Sequence, residues 1–124
     1  MPPEKQPVHD SLAAGRWSQM TLMEQLGNVG SEADRAIRAH AAGRAARFEA
    51  ALGRALELFD LTAADERWSG HRRREILRAR EEFCRLFFGD PPPGSADGLS
   101  RYFLYFAVAA RRTRHGYTPP RCFE

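Results

Sequence analysis

Apolar residues recur at steps of three and four over four separate stretches of the chain, and nowhere alternate with period two over a strand's length. The first stretch carries Leu22, Leu26, Val29, Ala33, Ala36 and Ile37. Thr21 and Glu24 stand at capping-box spacing before it, and Gly43 supplies a stop. The second, from Arg44 to Leu61, has the stripe Ala45, Phe48, Leu52, Ala55, Leu56 and Phe59, after which Thr62, Asp65 and Gly70 punctuate a connection. The third, His71 to Phe88, offers Ile76, Leu77, Phe83, Cys84, Phe87 and Phe88. It is halted by Gly89-Asp90 and by Pro91-Pro92-Pro93-Gly94, which cannot continue a helix. The fourth runs from Asp97 or Gly98 to Arg112 with Leu99, Tyr102, Phe103, Phe106, Ala107 and Ala110. Four amphipathic helices joined by short links predict an all-α, antiparallel up-down four-helix bundle over residues 17–112. It lies between a flexible N-terminal arm (1–16) and a flexible C-terminal tail (113–124). The alternative is that the first two helices merge across Gly43 into one bent helix.

Gly27 and Gly30 interrupt the first pattern, each at a cost of about 1 kcal/mol relative to alanine. Either a neighbouring helix approaches closely over them, or the helix breaks and restarts at the Ser31/Asp34 capping-box pair. Because the apolar period stays in phase across both glycines, close packing is expected. Gly27-x-x-Gly30 also matches the GXXG of KH loops, but the strands that flank such a loop have no counterpart in this pattern.

At 124 residues with 43% hydrophobic and 28% charged side chains, the chain suits one soluble domain and excludes a disordered composition. No apolar run reaches the length of a membrane span, and residues 1–10 lack the hydrophobic stretch of a signal peptide, so neither secretion nor a membrane partner is expected. Cys84 and Cys122 make no disulfide framework or zinc spacing, which fits a reducing, cytoplasmic setting.

The net charge of +3 hides an asymmetry. Residues 1–66 sum to −3 and residues 67–124 to +6, and 18 of the 19 basic residues are arginine. In an up-down bundle one end collects Arg16, Arg67, Arg72, Arg73, Arg74, Arg111, Arg112 and Arg114, with His71 and His115, against Asp60, Asp65 and Glu66. Arg111, Arg112 and Arg114 complement a helix C-terminus, but the triplet Arg72–Arg74 opens a helix, where acids are preferred. Trp17 and Trp68 stand nearby as stacking faces. Arginine for the phosphates and aromatic planes for the bases are what single-stranded nucleic acid requires. The same charges would equally serve as a solvated surface.

The stretches Glu24-Gln-Leu-Gly-Asn-Val-Gly-Ser-Glu32, Arg54-Ala-Leu-Glu-Leu-Phe-Asp-Leu-Thr62, Arg74-Glu-Ile-Leu-Arg-Ala-Arg-Glu-Glu-Phe-Cys-Arg-Leu-Phe-Phe-Gly-Asp90 and Leu99-Ser-Arg-Tyr-Phe-Leu-Tyr-Phe-Ala107 resemble a family of small, uncharacterised prokaryotic helical proteins, over residues 17 to 112. In size and layout the chain is also similar, more distantly, to four-helix-bundle accessory proteins. One group of these works beside the reverse transcriptases of diversity-generating retroelements, and another is encoded within ribosomal RNA intervening sequences. The resemblance implies an accessory role in a larger ribonucleoprotein and supplies no activity.

A second constellation, Glu24, Asn28, Ser31, Glu32 and Arg35, occupies neighbouring rows of the first helix and would suit Glu57 or Asp60 of the second helix, or a partner protein. No Glu-x-x-His pair suggests a metal, and no phosphate loop or nucleophile set suggests a cofactor or an enzyme. Arg35 and His40 do have the R-x4-H spacing of HEPN ribonucleases. They fall about 140° apart around one helix, so such a site would need a second copy. The expectation is thus a non-catalytic bundle that binds RNA or single-stranded DNA through its arginine end. The alternative is a protein–protein adaptor or homo-oligomeric scaffold, with an HEPN-like nuclease as a minor possibility.

Overall fold

The computed structural model describes residues 15–114; the expected N-terminal arm up to residue 14, the expected tail from residue 115 with His115 and Cys122, and the Arg114 side chain lie outside the described residues. A 3-10 turn at Trp17–Gln19 leads into four helices, α1 (Leu22–Ala41), α2 (Ala45–Ala63), α3 (His71–Phe88) and α4 (Ser95–Arg114), and the described residues contain no strand. Cross-helix pairs fix their directions. Gln25 meets Asp65, Glu32 meets Arg54 and His40 meets Phe48, so α1 and α2 are antiparallel. Gly27 faces Ala107 and Gly30 faces Phe103, so α1 and α4 are antiparallel as well. Phe48 with Phe87 and Asp60 with Arg80 give α2 and α3 the same relation. The fold is therefore a four-helix bundle.

Local signals account for most boundaries. Thr21 caps α1 through its Oγ1, which accepts the Glu24 N–H at 3.1 Å, while Glu24 Oε1 accepts the Thr21 N–H at 3.0 Å. Gly43, at φ +70°, ends α1 and keeps α1 and α2 as two helices. α2 continues past Leu61 because Thr62 is not a breaker here: its hydroxyl donates to the Leu58 carbonyl at 2.8 Å, so it is buried without loss. α4 starts at Ser95, ahead of the expected Asp97 or Gly98. Gly94 turns the chain at φ +80°, and its carbonyl accepts the Gly98 N–H, the first full helical bond.

The core is centred on Phe59, Phe83, Phe103 and Phe106 with Leu26, Val29, Leu58 and Ile76. Each large side chain contributes about 1.5–3 kcal/mol by leaving water. Three core expectations are corrected. Trp17 is buried at 3% exposure, as part of the core and not a stacking face. The buried face of α2 is Ala51, Ala55, Leu58, Phe59, Thr62 and Ala63, whereas Ala45 is exposed and Leu52 and Leu56 are half-buried. Leu77 and Phe88 point outward, at 45% and 71% exposure, because α3 buries only the row Ile76, Ala79 and Phe83.

Gly27 and Gly30 lie on a continuous helix, and α4 crosses directly over them. A Cβ on Gly27 would sit 3.1 Å from the Ala107 Cα, and one on Gly30 only 2.3 Å from the Phe103 Cβ. The missing side chains let the two backbones meet, so close approach and not a break offsets their helix cost.

Candidate nucleic-acid interface

The start of α1, the link from α2 to α3 and the end of α4 share one end of the bundle, and a buried amide organises it. Gln25 is fully buried. Its Nε2 donates to the Trp17 carbonyl at 2.9 Å and to Asp65 Oδ2 at 3.0 Å, and its Oε1 accepts the Trp68 indole N–H at 2.7 Å. Every polar atom of the amide thus has a partner, as burial demands. Asp65 in turn binds Arg67: Nε donates to Oδ1 at 3.0 Å and Nη2 to Oδ2 at 2.7 Å, while the same Nη2 reaches the Met20 carbonyl at 2.6 Å. This network ties the chain before α1 to the α2–α3 link. The role of Gln25 did not stand out in the sequence, since its partners Asp65 and Trp68 lie 40 and 43 residues away.

The Arg67 guanidinium, helped by Gln25 and by the Arg67 backbone N–H and opposed by burial, holds the Asp65 carboxyl at about 2, below its ordinary 3.8. A folded-state value below the unfolded one makes this contribution complete above about pH 4 and lost as pH falls through about 2. Asp65→Asn is therefore expected to cost about 1–2 kcal/mol at neutral pH, allowing for screening on the exposed Arg67 side. In acid titrations followed by circular dichroism, the gap between variant and wild type closes toward pH 2. A gap that persists there would show that Asp65 acts through packing.

Arg67 also lies over the Trp68 ring, 4.5 Å from its centroid, with Arg72 at 5.9 Å. Trp68 is half-buried and remains an aromatic plane at this end, already dressed by two cations. Arg73 and Arg74 are exposed at the start of α3, which has no acid in its first turn and no side-chain cap, and neither guanidinium has a partner among the described residues. Arg16, Arg111 and Arg112 are exposed at the same end. Of the expected cluster, Arg67 is committed to the internal network, and the exposed charge among the described side chains rests on Arg16, Arg73, Arg74, Arg111 and Arg112.

On α1, Glu24 is engaged in the cap, and Asn28 is exposed with its Nδ2 donating to the Glu24 carbonyl at 2.8 Å. Glu32 turns inward at 8% exposure, bound to Arg35 at 2.8 Å and to Arg54 of α2 at 2.9 Å. Its partner is Arg54, not Glu57 or Asp60, and the outward polar stripe is Glu24, Asn28, Ser31 and Arg35. Arg35 and His40 do not converge. The His40 ring packs 5.0 Å from both Phe48 and Phe87, while Arg35 lines a groove between α1 and α2.

That groove, of about 550 Å³, is a basic surface the sequence reading missed. Arg35 and Arg38 of α1 line it with Arg44, Arg47 and Arg54 of α2 or its cap. Ala39 and Ala42 face Ala50 and Ala51 across its floor. No acidic side chain lines it.

Fold and surfaces together define a small helical bundle with two arginine-rich faces. No helix among the described residues is long and apolar enough to cross a membrane, and no group of three or more His, Cys, Asp or Glu side chains stands together there to hold a metal. No family model, curated protein or solved structure matches the chain.

Proposed function

We propose that this protein is a non-catalytic accessory bundle of the cytoplasm that binds RNA or single-stranded DNA through its arginine end. Its setting would be a larger ribonucleoprotein, such as a reverse-transcriptase assembly, with self-association an added property. The reading is carried by Arg73 and Arg74, two exposed and unpaired guanidinium groups at an uncapped helix start, beside a tryptophan flanked by Arg67 and Arg72. Acids are preferred at a helix N-terminus, so folding gains nothing from cations there. An anionic ligand gains from the guanidinium forks and from the helix dipole together. Trp68 adds a surface on which a base can stack.

Fluorescence anisotropy with labelled single strands, titrated across salt, tests this directly. Binding is expected at low salt and falls steeply with log salt. Arg73→Glu with Arg74→Glu is expected to weaken it about ten-fold or more and to flatten the slope by about 1–2, the share of two phosphate contacts. A wild type that binds no strand at low salt overturns the proposal and leaves the exposed Asn28, Ser31 and Arg35, beside the half-buried Glu24, as a surface for a protein partner.

A further inference from the structure

Five arginines line the α1–α2 groove, and two of them, Arg35 and Arg54, bind the carboxylate of Glu32, for a formal charge of +4 over the six groups. Glu32 is buried between Arg35 and Arg54 and holds one guanidinium from each helix, so this part of the groove is fixed in place. Arg38, Arg44 and Arg47 have no partner among the described residues. Like charges lining one groove repel, and no contact described within the fold relieves these three.

The lining sets the class of ligand. From Arg44 to Arg54 the arginine lining extends over about 15 Å of α2 at 1.5 Å per residue, with the unpaired Arg44 and Arg47 toward one end and the Glu32-bound Arg54 at the other. The alanine floor lets a ligand backbone come close to both helices, and the side chains that line the groove include no aromatic to stack a base. Charge without stacking grips phosphates and does not read sequence. The groove begins about 20 Å along α1 from the arginine end, so one strand can reach both surfaces.

We infer that this groove is a second phosphate-binding site that holds the sugar–phosphate backbone of the same single strand whose bases meet Trp68. The inference rests on the functional reading above. Two linked contacts raise affinity for a strand long enough to span them and leave shorter strands unaffected by the link.

The test compares full-length wild type, an Arg38→Glu/Arg44→Glu/Arg47→Glu variant and the Arg73→Glu/Arg74→Glu variant on oligouridylates of increasing length. Arg35 and Arg54 stay, because they neutralise Glu32. Ala50→Glu, at an exposed helical position in the groove, serves as a second variant that removes no arginine. For long strands the groove variant is expected to bind about ten-fold or more weakly, with a salt slope flatter by about 2, the share of three contacts on a single strand. Ala50→Glu is expected to act in the same direction, and wild type to gain affinity with strand length where the groove variants do not. Groove variants that match wild type on long strands, in affinity and slope, overturn the second site while the arginine end stands. Loss of all strand binding by wild type overturns both.

Discussion

Gly30→Ala is expected to lower the stability of the bundle by about 2 kcal/mol, while Gly53→Ala raises it by about 0.5–1 kcal/mol. Both glycines lie inside helices, and alanine improves the local propensity of each equally. They differ in what stands opposite. A Cβ at Gly53 meets nothing within 4 Å, but one at Gly30 falls 2.3 Å from the Cβ and 2.9 Å from the Cγ of Phe103. Those atoms sit at the root of a buried side chain and cannot swing away without moving α4. Gly27, whose nearest neighbour is the Ala107 Cα at 3.1 Å, falls between the two. Urea titration of the three variants checks the order, and a Gly30 variant as stable as wild type would show that α4 can withdraw at little cost.

Gln25→Leu carries the other large effect, a loss of about 2–4 kcal/mol. Leucine fits the volume but strands the Trp68 indole N–H, removes a donor from Asp65, and leaves the Trp17 carbonyl with the Met20 N–H alone. Because stranded polar groups dominate the cost, removing a second partner restores part of it. The double variant Gln25→Leu/Trp68→Phe is expected to be less destabilised than the sum of the single changes. Thermal melts of the four proteins close the cycle, and strict additivity would rule out the amide as the organiser of this end.

What the sequence makes legible here is whatever depends on neighbours in the chain. The Thr21–Glu24 cap, the Gly43 stop and the limits of α3 are local chemistry, and all three are where the pattern puts them. The phase of α2 is harder to read because eight of the eleven residues 41–51 are alanine or arginine, and alanine is at home on either face. For the same reason the α1–α2 groove was invisible: each of its arginines has the spacing of an ordinary solvated residue, and only the hairpin brings the two rows together. The partners of Gln25 and Glu32, Asp65 and Arg54, stand 40 and 22 residues away on another link or helix, and no local spacing points to them. Topology brings Arg16, Arg67, Arg72–Arg74, Arg111 and Arg112 to one end, but does not set the division of labour among them. Arg67 is bound inward by Asp65, two residues before it, whereas Arg73 stands between two other arginines.

The glycine seam has a kinetic consequence. Of the principal interfaces in the bundle, α1–α2, α2–α3 and α3–α4 join consecutive helices across short links, whereas α1–α4 closes nearly the whole chain. Loop-closure entropy makes that contact the last to be rewarded, so it is expected to form after the transition state. Strain placed at Gly30 should then leave refolding rates almost untouched and speed unfolding, which stopped-flow chevrons of the alanine variant would reveal in the unfolding arm alone. The narrow seam that holds the first and last helices together is thus the latch of the molecule: it sets how long the bundle stays closed, not how fast it closes.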